Sequence, residues 1–326
     1  MVTARSGGKV HVLAGAHHFR FDNGLPPALT VEPGDTVIFE CLEAYGGGLG
    51  PDSTVDDLKR LPFDAVHCLT GPVAVGGAEP GDAVEVEVLE ITASQWAWTG
   101  VFPDIGVLAE ELGPDSWALQ IWHVGDDGRA ELRPGAGVRV PVEPFCGVMG
   151  VALAEPGEHL TMPPRRVGGN IDTRHLIAGS RLFLPVEVPG ALFSVGDGHL
   201  AQGDGEVCGT ALETNVTVGL RFWLHKGRAP RAPQFETSRP TTSRVDGMGY
   251  LSTTAPVQDL REGVVASVHD MVELLTERYG LSRIEAYIVC SAAGDLRISV
   301  PKLGPTHQAF VTFNVPRAIF VTEPGG

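Results

Sequence analysis

Apolar and polar residues alternate one by one along several short stretches of this chain. Val84, Val86 and Val88 are separated by single glutamates, and residues 216–224 repeat the pattern with larger apolar side chains. Period-two alternation of this kind is typical of β-strands that bury one face. Because 42 glycines and 25 prolines also supply frequent turns, we interpret most of the chain as short antiparallel strands.

One turn sequence occurs twice, and each copy precedes a predicted strand. Residues 32–35 and 79–82 both read Glu-Pro-Gly-Asp, a composition typical of tight turns. The shared turn predicts a similar entry into the strand that follows, although two copies are too few for a repeat architecture.

The last part of the chain has a helical period instead. Apolar residues recur at helical spacing over residues 260–275, with Pro256 predicted in the first turn and Gly280 at the C-terminal end. Residues 282–285 read Ser-Arg-Ile-Glu, the pattern of a capping box, and predict the start of a second helix. Residues 296–300 return to a strand pattern.

These periods together predict the fold class and the division of the chain. We expect a mainly β fold of the sandwich or barrel type over residues 1–240, which carries the polar site loops. An α/β portion at residues 241–326 would pack on it, giving an α+β protein overall. Residues 228–242, rich in Pro, Arg, Ser and Thr, are the linker candidate.

Composition limits the classes of partner. The formal net charge of the 326 residues is −16, and the acidic residues are spread along the chain. Because nucleic-acid binding begins with a basic surface, we expect no nucleic-acid partner. No apolar run approaches the length of a membrane span and the N-terminus lacks the apolar core of a signal peptide, so we predict no membrane partner and a cytoplasmic location.

The cysteines form no recognisable framework. Their number is odd, their spacing is wide and no pair forms a C-x-x-C motif, so neither a zinc ribbon nor a disulfide framework is predicted. Reduced, mostly buried thiols are the simplest interpretation, while Cys68 or Cys208 as a nucleophile stays an open alternative. The five positions are Cys41, Cys68, Cys146, Cys208 and Cys290.

The densest polar motif lies at residues 196–206. Three carboxylates, one histidine and one amide stand there among four glycines, a mixture that is costly to bury without partners. An earlier cluster at residues 168–174 places Asn170, Asp172 and an arginine around a Gly-Gly pair. An apolar strand pair connects the two polar loops and would bring them to one end of a sheet.

In that arrangement Asp172 faces Asp197 and His199. Two carboxylates and an imidazole suit Zn²⁺ or a similar divalent ion, so we predict these three residues as metal ligands. The alternative for Asp172 is that it only caps a turn through its own backbone.

Two glutamates follow the ligands along the chain. Glu206 closes the motif and Glu213 enters a predicted strand, and a carboxylate next to an activated water acts as its general base. The alternative for Glu213 is a strand residue that faces solvent. His67, where a strand runs into a Gly-Pro turn, is either a partly buried core residue or a member of the site.

These motifs resemble the acetamidase/formamidase family. The resemblance rests on residues 169–172 and 194–206, and extends in order through the chain from about residue 10 to about residue 320. It also includes His18 and residues 69–72, 78–82, 144–147, 285–287 and 291–296. Residues 101–135 depart from the family pattern, and Leu200 stands where alanine is common, which leaves the substrate pocket open.

The resemblance implies an amidohydrolase that cleaves acetamide or formamide to the carboxylate and ammonia. It further implies a cytoplasmic homo-oligomer, dimer or higher, in a family with zinc-containing members, some of which open small lactams. Asp172, Asp197, His199, Gln202, Glu206 and Glu213 occupy family motif positions, and His67 matches a histidine of some members.

We therefore expect a divalent metal, with zinc as the first candidate, held by Asp172, Asp197 and His199, with His67 as a further candidate ligand. Either glutamate would move the proton, and Asn170, Gln202 or backbone N–H groups of the glycine turns would stabilise the oxyanion. A small lactam or another carboxamide is the alternative substrate. A non-catalytic, metal-binding β-sandwich is the alternative from another class.

Overall fold

The computed structural model describes residues 8–62, 65–241, 246–301 and 308–321. Its α-helices are α1 (Val55–Arg60), α2 (Ala109–Leu112), α3 (Leu260–Tyr279) and α4 (Arg283–Ala293), and two 3₁₀ turns lie at Asp246–Met248 and Arg317–Ile319. The strands, in chain order, are β1 (Val10–Leu13), β2 (His17–His18), β3 (Arg20–Phe21), β4 (Leu29–Val31), β5 (Thr36–Cys41), β6 (Leu69–Val75), β7 (Ala83–Ala93), β8 (Trp96–Val101), β9 (Ala118–Val124), β10 (Arg129–Glu131), β11 (Arg139–Pro141), β12 (Phe145–Gly150), β13 (His159–Leu160), β14 (Pro164–Arg165), β15 (Gly168–Asn170), β16 (Arg181–Pro185), β17 (Phe193–His199), β18 (Glu213–Thr214), β19 (Val216–His225), β20 (Gln234–Glu236), β21 (Tyr250–Val257), β22 (Asp295–Val300) and β23 (Ala309–Pro316).

Two large sheets contain most of these strands. One has six strands in the order β1-β5-β19-β7-β16-β20. The other has twelve, with the main path β11-β10-β9-β8-β18-β17-β12-β15-β14 and with β6, β2 and β4 attached through β17. The pairing is antiparallel except where β1 meets β5 and β4 meets β6. The mainly β, α+β fold class predicted from the alternation is confirmed.

The two large sheets pack face to face through a shared apolar core. Phe39 and Phe222 come from the six-stranded sheet, and the ring of Phe193 in β17 lies with its centroid 6.1 Å and 5.2 Å from theirs. The three alternating valines of β7 are fully buried in the same core. Such interdigitation between two inner faces is the arrangement of a β-sandwich.

The C-terminal helices begin and end at the predicted signals. Asp259 caps α3 by accepting hydrogen bonds from two backbone N–H groups, and Gly280 ends the helix in the left-handed conformation. Ser282 and Glu285 form the expected capping box at the start of α4. Both helices pack with the three-stranded sheet β21-β23-β22 and with residues of the twelve-stranded sheet in one core.

Pro256 does not lie in the first turn of α3, so this detail of the prediction is wrong. The residue belongs to β21, opposite Phe310 of β23. β21 pairs only with β23 within the described residues, and an edge strand tolerates a residue without an N–H. The helix starts later because the side chain of Asp259 supplies a better N-cap.

The expected linker at residues 228–242 contains a short strand. Residues of β20 pair with β16 at the edge of the six-stranded sheet, which adds backbone hydrogen bonds that composition does not indicate. Residue 242 lies outside the described residues. One core contains residues from both sides of residue 240, and the division of the chain there stays a prediction.

The first of the repeated turns is closed by its own aspartate. Asp35 accepts hydrogen bonds from the backbone N–H of Glu32 at 3.0 Å and of Lys9 at 2.7 Å. Burial alone would raise the pKa of Asp35, but these donors outweigh it and lower the pKa. The carboxylate therefore ties β1 to the turn before β5.

Asp82 closes the second repeated turn in the same way. It accepts from the backbone N–H of Glu79 at 2.9 Å and of Gly227 at 2.8 Å, and from Lys226 Nζ at 2.6 Å. Burial again opposes ionisation, and the donors again lower the pKa of the carboxyl. The predicted similarity of the two strand entries is confirmed in atomic detail.

Candidate active site

Strand β17 carries two predicted ligands through the twelve-stranded sheet. The ladder pairs His199 with Glu213 of β18 on one side and with Phe145 of β12 on the other. Glu213 in turn pairs with Trp98 of β8. Because directly opposite residues of antiparallel strands share a face, one row across the sheet contains an indole, a carboxylate, an imidazole and a phenyl ring.

The first part of the 196–206 motif is strand and not loop, so the prediction of a polar loop is wrong for residues 196–199. β17 continues through His199. A Cβ atom at Gly196 would lie 2.4 Å from the carbonyl oxygen of Cys68. The glycines of the motif therefore allow close strand approach here, a role that a loop interpretation misses.

The Asp172 loop reaches the Asp197 strand, as expected. The backbone N–H groups of Ile171 and Asp172 both donate to the carbonyl oxygen of Gly147 in β12, at 3.0 and 3.2 Å. Since β12 lies between β15 and β17, this places Asp172 over the strand that carries the other ligands. One potential ligand atom from each of Asp172, Asp197 and His199 lies within 4.8 Å of the others.

The two predicted general bases join the same cluster. Potential ligand atoms of His199, Glu206 and Glu213 also lie within 4.8 Å of one another. Glu213 is 3 % exposed, so the alternative of a solvent-facing strand residue is wrong. Its position in the central row of the sheet, opposite His199, is the reason for this burial.

Three of these acids have a strained backbone. Among the described residues, five non-glycine residues have positive φ, and they include Asp172 at 40°, Asp197 at 57° and Glu206 at 43°. Non-glycine residues in this region cost free energy and concentrate at functional sites. The strain therefore supports a functional interpretation of the cluster.

Several buried polar atoms of the cluster have no hydrogen-bond partner among the described residues. His199 Nε2 lies 3.1 Å from Glu213 Oε2 and 3.5 Å from Asp197 Oδ2, yet without the geometry of a hydrogen bond. The unpartnered atoms are Asp172 Oδ1, Asp197 Oδ1, Glu213 Oε2 and both ring nitrogens of His199. Buried polar atoms are rarely left without a partner, and carboxylate oxygens with imidazole are the donor set of Zn²⁺ and related cations.

The crowding of acids shifts their pKa values. Burial and the charge of Asp197 raise the pKa of Asp172, and burial and the charge of Asp172 raise that of Glu206. Burial raises the pKa of Glu213 to about 7. Without a cation, this cavity therefore favours protonated acids, and a bound cation would take the place of those protons.

In Asp197 and His199 the pKa shifts favour the charged forms instead. Burial opposes ionisation of Asp197, but the charges of His67 and His199 lower its pKa well below the usual range. Burial likewise disfavours the imidazolium of His199, but the charges of Glu213 and Asp197 outweigh it and raise its pKa.

A glycine provides the space in which these groups converge. A Cβ atom at Gly147 would lie 2.5 Å from Asp172 Oδ1, 2.5 Å from Asp197 Oδ2 and 2.9 Å from His199 Cε1. All three predicted ligands therefore surround one point of β12. This cradle, together with the unpartnered oxygens and nitrogens, fits a divalent cation.

The remaining predicted residues lie at the edge of the cluster. His67 Nε2 is 3.8 Å from Asp197 Oδ2, and burial lowers the pKa of this imidazole. Asn170 lines the cavity, and its Oδ1 has no partner among the described residues. Gln202 donates from Nε2 to the carbonyl oxygen of Asp172 at 2.9 Å. This hydrogen bond ties the Gln202 side chain to the backbone of the Asp172 loop.

Arg174 connects the two polar segments to the C-terminal sheet. Its Nε lies 3.2 Å from Asp204 Oδ1 and its Nη2 3.1 Å from Asp295 of β22. It also donates to the carbonyl oxygen of Gln202 at 3.3 Å. The sequence places Arg174 two residues after Asp172, but only the fold shows that it connects the two polar segments of the site.

A cavity of about 240 Å³ opens onto the cluster. Asn170, Asp172, Asp197, Glu206 and Glu213 line one part of it. The other part is apolar and was not predicted, because its residues come from separate segments that pair only in the fold. Its principal side chains are Tyr45, Val66, Trp98, Phe102, Ile105 and Met162.

The alternative of a cysteine nucleophile receives no support. All five cysteines are free and buried. Burial raises the pKa of Cys68 to about 11 and also raises that of Cys208. Because the thiolate is the nucleophile, burial disfavours the reactive form of both cysteines.

The chain is similar to a family of known proteins over nearly its whole length. The sequence profile of the Acetamidase/Formamidase family matches residues 9–160 and 153–322. An acetamidase of Mycolicibacterium smegmatis is 30 % identical over 64 % of this chain and 66 % of its own length. A formamidase of Methylophilus methylotrophus is 29 % identical over 72 % of this chain and 71 % of its own.

A solved structure shares the fold. The gamma lactamase from Delftia acidovorans superposes with a TM-score of 0.87 at 26 % identity, and the superposition covers 98 % of this chain and 95 % of the lactamase.

Proposed function

The chain belongs to the acetamidase/formamidase family, and from that premise we propose that it is a hydrolase of small linear amides that depends on a divalent metal ion. Zinc is the first candidate, with Asp172, Asp197 and His199 as its ligands. The products are a carboxylate and ammonia. Amide hydrolysis follows from the family, whereas the metal and the roles of individual residues are our proposal.

One observation carries the metal proposal. Ligand atoms of Asp172, Asp197 and His199 converge within 4.8 Å, and oxygens and nitrogens of all three are buried without a hydrogen-bond partner among the described residues. A cluster of this kind without a ligand would be costly to bury, and one cation can bind an atom from each of the three residues at once. When bound there, the metal supplies Lewis-acid polarisation of the amide carbonyl and lowers the pKa of water.

Glu213 is the better candidate for the general base. Glu213 stands opposite His199 in the strand ladder, lies 3.1 Å from its Nε2 and lines the cavity, and a carboxylate next to an activated water acts as its general base. Glu206 shares the cavity and is the second acid of the site. We propose that Glu213 takes the proton of the attacking water and that one of the two acids passes a proton to the departing nitrogen.

The oxyanion requires a hydrogen-bond donor beside the carbonyl. Asn170 lines the polar part of the cavity, and we propose its side-chain amide for this role. Gln202 was the other candidate, but its Nε2 already donates to the Asp172 carbonyl. We therefore assign Gln202 to positioning the Asp172 loop.

Ammonia release tests the proposal. The protein is assayed with formamide, acetamide and propionamide before chelation, after thorough chelation and after zinc is added back. We expect release that chelation abolishes and zinc restores. Release that is indifferent to metal removal would refute the metal dependence, and no release from any amide would leave the non-catalytic binding alternative.

A pair of histidine variants locates the reaction. His199→Ala is expected to lose both bound metal and ammonia release while its circular dichroism is retained. The matched control is His123→Ala, because this imidazole is exposed on β9. A metal-loaded and fully active His199→Ala protein would refute the ligand assignment.

A γ-lactam is the second candidate substrate. The structural similarity to a gamma lactamase over 98 % of this chain favours it. Adding a γ-lactam to the same assay, with ring opening followed by chromatography, compares the two substrates directly.

The assembly and the location are further proposals. Among the described residues, no helix combines the length and the apolar character needed to cross a bilayer. We propose a homo-oligomer in the cytoplasm, as the family resemblance implies. Light scattering of the purified protein would measure the subunit number, and a monomer would refute the oligomer.

A further inference from the structure

The cavity is larger than formamide or acetamide, the amides for which the relatives are named, would need. It encloses about 240 Å³, whereas an apolar protein cavity of about 150 Å³ is large enough to bind benzene. The cavity is therefore larger than a benzene ring needs. Formamide or acetamide would fill only a small fraction of this space.

The unused space is apolar. Trp98, Phe102 and Met162 belong to a separate hydrophobic cluster beside the site and line the cavity together with Tyr45 and Ile105. A water molecule needs two to four polar partners to be held well, and these side chains offer few. The apolar part of the cavity is therefore suited to an apolar group of a ligand.

The sheet register fixes this apolar part next to the reacting groups. Trp98 stands opposite Glu213 in the ladder of β8 and β18, and Glu213 stands opposite His199. The indole and the two polar side chains therefore share one face of the sheet. An amide bound at the polar cluster would direct one of its substituents along this row toward Trp98.

The apolar wall is held in place before any ligand binds. The buried carboxylate of Glu43 accepts hydrogen bonds from Trp98 Nε1 at 3.1 Å and from the backbone N–H groups of Tyr45 at 3.0 Å and Gly47 at 2.8 Å. The rings of Phe102 and Trp117 pack edge to face with centroids 5.4 Å apart. Such preorganisation lowers the cost of binding a matching group.

We propose that the preferred substrates are primary carboxamides whose acyl group is apolar and about the size of a phenyl ring. This inference rests on the proposed amide hydrolysis and adds the substrate class. Trp98, Phe102, Ile105 and Met162 are the specificity-determining residues, and benzamide is the simplest member of the class. Each buried methylene changes binding about fourfold, so we expect kcat/KM for benzamide to exceed that for acetamide by at least about tenfold.

The test compares acetamide, propionamide, isobutyramide and benzamide, all of which release ammonia, so that the ratio of kcat/KM values reports the acyl pocket. A rise along the series supports the inference. Equal or falling values would overturn it while leaving the amidase function intact. No ammonia from any of the four would overturn the proposed function and this inference with it.

Two variants locate the effect in the wall. Ile105→Trp fills the cavity from a half-buried position and is expected to lower the ratio of benzamide to acetamide at least about tenfold. Met162→Ala enlarges the cavity and is expected to favour acyl groups larger than phenyl. Ile298→Trp, at an isoleucine 55 % exposed on β22, is the matched control and keeps the wild-type ratio. An unchanged benzamide-to-acetamide ratio in Ile105→Trp, or no gain for acyl groups larger than phenyl in Met162→Ala, would overturn the assignment.

Discussion

Two groups of buried carboxylates lie in this protein and differ in their hydrogen-bond partners. Asp35, Asp82 and Glu43, which we call the frame acids, each accept at least three hydrogen bonds from backbone or side-chain donors. The site acids, Asp172, Asp197, Glu206 and Glu213, crowd around one imidazole instead. Asp172, Asp197 and Glu213 among them keep an oxygen without a partner among the described residues.

For five of these acids the pKa follows this difference. The donors around Asp35 and Asp82 outweigh burial and lower the pKa of these two frame acids. Burial and like charges raise the pKa of Asp172, Glu206 and Glu213, whereas the charges of two histidines lower that of Asp197. Burial alone therefore does not distinguish a functional acid from a structural one. A buried acid whose donors are complete stabilises the fold, whereas an incomplete set of donors marks a place for a ligand.

Asp172→Asn should separate the site acids from the frame acids most strongly, through its effect on activity. Asp172→Asn keeps the size of the side chain and removes a charge whose ionisation is disfavoured by burial and by Asp197. We expect kcat/KM for amide hydrolysis to fall at least about 100-fold, because loss of even an outer-shell partner of a metal ligand costs about 10- to 100-fold, with Tm unchanged or raised. Ammonia release and calorimetry measure the two quantities. Full activity, or a collapse of Tm, would place Asp172 among the frame acids.

The second effect is the response of stability to metal. A ligand that binds only the folded state at 100 times its Kd adds about 2.7 kcal/mol to the free energy of unfolding, which corresponds to a Tm increase of several degrees. We expect zinc to raise the Tm of the chelated wild-type protein and to raise that of Asp172→Asn much less. An equal increase in both proteins would show that the cation binds elsewhere.

The third effect lies on the side of stability. Asp82→Asn leaves the donors of Glu79, Gly227 and Lys226 without their carboxylate, and we expect the free energy of unfolding to fall by about 1–3 kcal/mol. Activity should stay within about twofold, since Asp82 does not line the cavity. Denaturant unfolding measures the loss. Asp126→Asn, at an exposed aspartate, is the matched control and should change neither quantity.

The smallest expected effect is a pH dependence of the stability that Asp82→Asn loses. The pKa of Asp82 is lower in the folded protein than in the unfolded chain, so its contribution is complete above about pH 4. It is lost as pH falls through the folded-state pKa. The Tm difference between wild type and Asp82→Asn should therefore be constant near neutrality and should shrink in acid. A difference that grows as pH falls would contradict this assignment.

The sequence predicts much of the fold, because the relevant signals are local. The alternation of β7 and β19 and the caps of α3 and α4 depend on neighbouring residues alone, and the structure agrees with them. The approach of Asp172 to Asp197 was also predictable, since a strand pair connects their segments. Pro256 was misplaced because a residue typical of a helix start is equally compatible with an edge strand.

The apolar part of the site could not be predicted from local sequence patterns. Trp98 is an ordinary strand residue in the sequence, and it reaches the site only because β8 pairs with β18. Its partner Glu43 lies 55 residues earlier, at a spacing that no local pattern connects. Much of the interpretation of the polar residues came from the family resemblance, whereas the surroundings of each carboxylate became clear only from its contacts.

The glycine at the floor of the site has a consequence for variation of this protein. Gly147 has a backbone conformation that any residue can adopt, and yet a single methyl group there would occupy the point on which three ligands converge. In a mutational scan scored for amide turnover, this position should tolerate nothing, like an acid of the cluster, although it contributes no chemical group. In a scan scored only for folding, the effect of alanine at this position would show how far the three ligand side chains can move aside. The absence of a Cβ atom at this position of β12 is thus as necessary for the reactive centre as the side chains that surround it.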